Sequence, residues 1–110
     1  PLRRVHLIYS TKNGEHFPLQ EETKNLIKLI PDSGMAVGYT EPRFDEHVGQ
    51  DYQFTGKLMP ATLRHACMDA ESDVYLCGSE IFVEYVRNII LQSRTIPADH
   101  IHTQVFVRTR

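Results

Sequence analysis

The stretch Asp73-Val74-Tyr75-Leu76-Cys77-Gly78-Ser79-Glu80-Ile81-Phe82 holds the unit from which the whole chain is built. Val74 to Cys77 is an uncharged run of β-branched, aromatic and aliphatic residues, the composition of a buried strand. Gly78 breaks the run, Ser79 carries the side-chain oxygen of an N-cap, and Glu80 places a carboxylate in the first helical turn. Behind it, Ile81, Phe82, Tyr85, Val86, Ile89 and Ile90 recur at helical spacing and predict a core-packing stripe. A strand running through one glycine into a helix belongs to a parallel α/β sheet, because a parallel neighbour is reached only by a crossover.

The alternation continues on both sides. Val5-His6-Leu7-Ile8-Tyr9 predicts a buried strand that ends in the turn cluster Ser10-Thr11-Lys12-Asn13-Gly14. Pro18 precedes a predicted helix from Gln20 to Ile30, with Glu21 and Glu22 at its start and Leu26, Ile27 and Ile30 on one face. Met35 to Thr40 predicts a weaker strand, residues 41–56 an irregular loop, and Lys57 to Asp69 a helix. After Pro97, Ile101 to Val107 alternates into a last strand. Right-handed crossovers put the loops after each strand along one edge, and in such sheets ligands bind outside the carboxyl ends of the strands. Topology therefore nominates Ser10–Gly14, Thr40–Arg43 and Gly78–Glu80 before any chemistry is considered.

Composition bounds the function. The chain has 110 residues, enough for one domain, with 41% hydrophobic and 24% charged residues, which excludes a disordered tail or collagen-like repeat. No apolar run approaches the ~20 residues that span a bilayer. A formal charge of −2 argues against nucleic acid or a membrane surface as the main partner. Cys67 and Cys77 are too few for a secreted disulfide scaffold and their spacing is not CxxC; free thiols in a reducing compartment are expected, with a Cys67–Cys77 bridge as the alternative. No signal peptide opens the chain, so the cytoplasm is the expected location. Residue 1 is proline, which suggests a piece of a longer chain or processing at the N-terminus.

Two segments carry a resemblance. Asp73 to Phe82 resembles the D-x-Y-L-C-G-P-x-x-F-M segment of ferredoxin-reductase-like nicotinamide domains, and Ile96 to Phe106 resembles their G-V-x-x-x-x-I-H-Y-E-x-F ending. Val5–Tyr9 with Asn13-Gly14-Glu15-His16-Phe17, and Asp51-Tyr52 with Gly56-Lys57-Leu58, are similar to the reductase end of flavohaemoglobins. The resemblance covers roughly residues 4 to 107. It implies a Rossmann-like three-layer α/β module that binds NAD(P)H and presents the nicotinamide to an FAD held by a preceding barrel domain. Electrons then pass to haem or another acceptor; in flavohaemoglobins a globin domain uses them to turn nitric oxide and dioxygen into nitrate. The chain would then be a single, incomplete NAD(P)-binding domain over 1–110, with no turnover on its own.

Carried over by position, the resemblance implies that Cys77 and Gly78 lie against the nicotinamide, followed by Ser79 and Phe82. Ser79 stands where the family has proline. Ser10, Thr11, Lys12 and Asn13 would surround the adenosine ribose, and Phe106 would lie near the flavin. No Asp or Glu ends the Val5 strand to grip the ribose hydroxyls, while Lys12 would tolerate a 2′-phosphate, which leans toward NADPH competence. The family's first strand and its G-x-G-x-T/S-P phosphate loop have no counterpart in the 110 residues. In the family order 3-2-1-4-5 that strand is central, so its loss would leave the strands at Val5 and Val74 without their shared neighbour. Upstream sequence, another segment, or closure of the sheet would resolve it, and upstream sequence is the favoured expectation.

Plainer readings stand beside these. Cys77 suits a small core residue, Lys12 an exposed turn, and Glu80 a dipole-complementing surface position. His100 and His102 resemble a metal pair on one strand, yet no third ligand completes a site, and surface histidines are expected. Glu15, Glu21 and Glu22 suit a solvated helix start. The competing functional reading is a degenerate α/β domain that serves as an interaction or regulatory module.

Overall fold

A computed structural model describes residues 4–16, 20–31, 33–55, 71–93 and 95–105. The predicted helix at Lys57–Asp69, Cys67 and Phe106 lie outside the described residues. Five strands, β1 (Val5–Thr11), β2 (Gly34–Tyr39), β3 (Phe54–Thr55), β4 (Asp73–Gly78) and β5 (Ile101–Val105), form one sheet in the order β3-β2-β1-β4-β5. Every pairing is parallel. Helix α1 (Gln20–Lys28) leads into β2, and α2 (Glu80–Ser93) connects β4 to β5. These two connections run in opposite directions along the sheet, and right-handed crossovers of opposite direction carry their helices to opposite faces. The expected Rossmann-like α/β class holds.

At the sheet centre, of the three resolutions the sequence leaves open, the described residues show closure of the sheet. β1 pairs directly with β4, in the register Val5↔Asp73 through Tyr9↔Cys77, and leaves no gap between them. The reason lies in the backbone: buried N–H and C=O groups must find partners, and these two strands supply each other's. Val5–Thr11 thereby takes the central position, and Phe54–Thr55, from the segment expected to be irregular, takes one edge.

The face under α2 is the main core. Ile8, Val74 and Leu76 from the sheet pack with Val83, Val86 and Ile90 of α2 and with Ile96. Val83, Val86 and Ile90 define the helix's inner line, with Phe82, Tyr85 and Ile89 half-buried beside it. Ile81, expected in the stripe, is 82% exposed. It sits two positions before Val83, about 200° around the helix and hence on its far side. On α1, Leu26 is exposed while Ile27 is half-buried, so its apolar face is narrower than predicted. The opposite sheet face holds a second cluster of Val37, Tyr39 and Tyr52, with Tyr9 and Met35 against it.

Beyond β2 the ladder is continued by a side chain. The Val37 N–H donates to Gln53 Oε1 at 2.8 Å, and the Gln53 N–H donates to the Val37 carbonyl at 2.7 Å. The next rungs are the two residues of β3, Phe54 opposite Gly38 and Thr55 opposite Tyr39.

Candidate functional site

At the carboxyl ends of β1 and β4, the alternation of strand side chains puts Ser10 and Gly78 on the α2 face. A Cβ on Gly78 would stand 2.9 Å from Phe82 Cδ2, 3.2 Å from the Ser10 carbonyl oxygen and 3.4 Å from Ser10 Cβ. Ser10, far away in sequence, thus meets Gly78 and Phe82 at one point because the residue there has no side chain. Phe82 in turn stacks on Phe54, with ring centroids 6.2 Å apart and planes 11° from parallel. Phe54 lies where a Cβ on Gly38 would project. Two glycines and two rings therefore line this edge; Phe54 and Gly38 carry no sequence motif.

Ser79 caps α2 as expected. Its Oγ accepts the Phe82 N–H at 3.2 Å, and its carbonyl accepts the Val83 N–H at 2.9 Å. Cys77 points to the other face, opposite Tyr9 on β1 and Gln104 on β5. Its thiol is free and half-buried, and burial pushes its pKa up, so it stays protonated. Burial also raises Tyr9, with Cys77 and Tyr39 adding to the effect. A neutral thiol here is a small apolar surface and not a nucleophile. On the same face His102 stacks on Tyr75 at 4.5 Å and its Nε2 lies 3.2 Å from Asp73 Oδ1. His100 belongs to the preceding 3-10 turn (Ala98–His100), so the two histidines do not share a strand. Among the described residues no cluster of three or more metal-binding side chains occurs.

The loops after β1 and β2 form the second half of the site. Parallel pairing runs past the strand ends, with Thr40 N–H donating to the Thr11 carbonyl at 2.9 Å and Glu41 N–H to the Lys12 carbonyl at 2.8 Å. This continuation puts Lys12 beside Glu41, with Nζ 3.3 Å from Oε2. Asn13 is buried and ties the loops together: its Nδ2 donates to the Glu41 carbonyl at 3.2 Å, and its Oδ1 accepts the Glu15 N–H at 3.1 Å. Arg43 reaches Glu15 Oε1 at 3.3 Å and Glu46 Oε2 at 2.9 Å. Glu46 also accepts the backbone N–H groups of Gly14, at 3.0 Å, and Arg43, at 2.8 Å. Its carboxylate is held below the ordinary range chiefly by the Arg43 side-chain hydrogen bond, and Arg43 is raised in return.

Of the residues nominated from sequence, Ser10, Gly78 and Phe82 converge, Lys12 and Asn13 sit in the loop clasp, and Cys77 faces away from Phe82. The partnership of Glu15, Glu41 and Glu46 with Lys12 and Arg43 was not read from sequence. Its one local signal is the Arg43-x-x-Glu46 spacing, since the other bonds join residues about thirty positions apart.

Comparison with known proteins agrees with this geometry. The family described as the oxidoreductase NAD-binding domain matches residues 1–88. The chain is 29% identical over 104 residues to a flavohemoprotein of Chromobacterium violaceum, covering 94% of this chain and 26% of the relative. It is 24% identical over 106 residues to a flavohemoprotein of Bacillus subtilis, covering 96% and 26%. The chain thus spans about a quarter of the relatives it matches. In fold it is similar to the flavohem-like FAD/NAD-binding domain of nitric oxide dioxygenase from Vibrio cholerae. That match has a TM-score of 0.61 and 21% identity, over 94% of this chain and 51% of that one. A parallel sheet with its glycine-marked strand ends, together with a family match over most of its length, makes this chain a member of the oxidoreductase NAD-binding domain family.

Proposed function

We propose that the chain, over residues 1–110, is the nicotinamide-nucleotide module of a larger flavoprotein of flavohaemoglobin type. In that setting it takes up NAD(P)H and delivers a hydride to FAD on a preceding barrel domain, and a globin domain is the favoured acceptor of the electrons. Nitric oxide detoxification is the activity this arrangement would serve, in the cytoplasm. The observation that carries the reading is the bare strand end at Gly78, fitted between the Ser10 carbonyl and the Phe82 ring within a chain of NAD-binding family.

The residues suit the two ends of a dinucleotide. Phe82, packed against Gly78, offers an apolar ring to a planar heterocycle, and the protonated Cys77 lies on the opposite face of the sheet. Ser10, Thr11 and Lys12 offer donors and acceptors to an adenosine ribose, while Asn13 holds their loop in shape. The glycine-rich pyrophosphate loop is not among the 110 residues, so the chain supplies the ends of the site and not its middle. Phe106 is proposed to face the flavin. The bound nucleotide and flavin would supply the redox chemistry, and the protein's part is to orient them.

Titration calorimetry of the whole protein with NADH and NADPH, paired with stopped-flow reduction of its flavin, tests this proposal. Saturable binding followed by flavin reduction is expected. A folded protein that binds neither nucleotide would refute the reading. It would favour an interaction module, which the directly paired β1 and β4 also suit.

A further inference from the structure

The loops after β1 and β2 hold two cations, and both are already neutralised. Lys12 faces Glu41, and Arg43 is shared between Glu15 and Glu46. Three carboxylates against two cations leave this group with one excess negative charge, and Asp45 lies close enough to Arg43 to add to the field. Glu46 cannot swing away to release Arg43, because the Gly14 and Arg43 backbone N–H groups hold its two oxygens, and its side chain is only 7% exposed.

We propose that this clasp makes the site select NADH over NADPH, with Glu41 as the specificity-determining residue. The inference rests on the nucleotide-binding reading above and deepens it. A 2′-phosphate carries close to two negative charges at neutral pH. To use the remaining donors of Lys12 it must lie beside the Glu41 carboxylate, in a loop pair already negative. A ribose 2′-hydroxyl meets the opposite situation, because it can donate a hydrogen bond to that carboxylate. β1 itself ends without an acid, and the neighbouring strand's continuation brings Glu41 to the place where one is needed. Lys12, which by itself favours a phosphate, is thereby turned into the partner that orients Glu41. Discrimination comes as much from repelling the wrong nucleotide as from binding the right one.

The test is calorimetric measurement of NADH and NADPH affinity in the whole protein, for the wild type and for Glu41→Gln, with circular dichroism to verify folding. Wild-type protein is expected to bind NADH about tenfold more tightly than NADPH, the scale set by one to two solvent-exposed charge contacts. Glu41→Gln frees Lys12 and is expected to narrow that ratio about fivefold, mainly by tightening NADPH, with the gain shrinking at high salt. Comparable or tighter wild-type binding of NADPH would overturn the inference while leaving the nucleotide site standing. An unchanged ratio in Glu41→Gln would remove Glu41 from the role. Folded protein that binds neither nucleotide would instead refute the underlying functional reading.

Discussion

Gly78→Ala adds one methyl group where β1, β4 and α2 come together. Its Cβ would stand 2.9 Å from Phe82 Cδ2, where carbon atoms settle at about 3.5–4.0 Å, so the ring must retreat by roughly 0.6–1 Å. The retreat is obstructed. Phe82 stacks on Phe54, and Phe54 already fills the space beside Gly38. The Ser10 carbonyl, at 3.2 Å, moves only if β1 moves with it. Overpacking of this kind costs about 1–3 kcal/mol, and each kcal/mol lowers Tm by about 4–8 °C in a domain near this size. Urea denaturation of wild type, Gly78→Ala, Phe82→Leu and the double variant separates the contact from other effects. If the ring is the obstacle, the alanine should cost at least about 1 kcal/mol less in the Phe82→Leu background. A Gly78→Ala protein with the wild-type midpoint, or one whose penalty is the same in both backgrounds, would refute the steric account.

Other expectations follow from single contacts. Ser79→Ala removes the N-cap bond to the Phe82 N–H and should cost about 1 kcal/mol by the same assay, whereas Ser79→Asp should retain most of the stability. Burial of Cys77 predicts that, in a Cys67→Ser background, its alkylation by iodoacetamide has a pH midpoint above about 8.5, returning to that value in urea. The sign for stability follows: the raised thiol contributes fully below the unfolded pKa and its contribution is lost as pH rises through the folded one. Glu46 has the reverse sign, since its depressed pKa gives a contribution present above about 4.3 and lost as pH falls through the folded value. Hydrogen-exchange protection of the Gly14 and Arg43 amides should accordingly persist as pH drops past that point, then collapse. Glu46→Gln should lower that protection even at pH 7.

The strands and helices legible in the sequence are those whose signal is local. Val5–Tyr9, Val74–Gly78 and the Ser79-capped helix each contain their own pattern, and the structure places them as read. β3 was missed because two residues have no period; Phe54 is held by Gly38 and Phe82, neither nearby in sequence. Ile81 was misassigned to the core because its apolar neighbours blur the helical phase, which Val83, Val86 and Ile90 fix once packed. The centre of the sheet stayed open among three resolutions because family order puts a strand between these two, and within these residues β1 and β4 satisfy each other directly. The loop clasp was illegible for a similar reason. Lys12 reads as a free cation until the parallel register carries Glu41 to its side.

Gln53 has a consequence for how the molecule behaves in company. An outermost strand ordinarily offers a row of open donors and acceptors to any extended chain that drifts by, and that is how sheets polymerise. Here the Val37 N–H and C=O at the β2 margin are both engaged by one residue, through its side-chain amide on one side and its backbone on the other. Glutamine acts as a stub of strand that cannot be extended, since its side chain ends where a further peptide unit would continue the template. The margin is sealed at that rung by a single residue, a form of self-protection that lets a short β3 suffice.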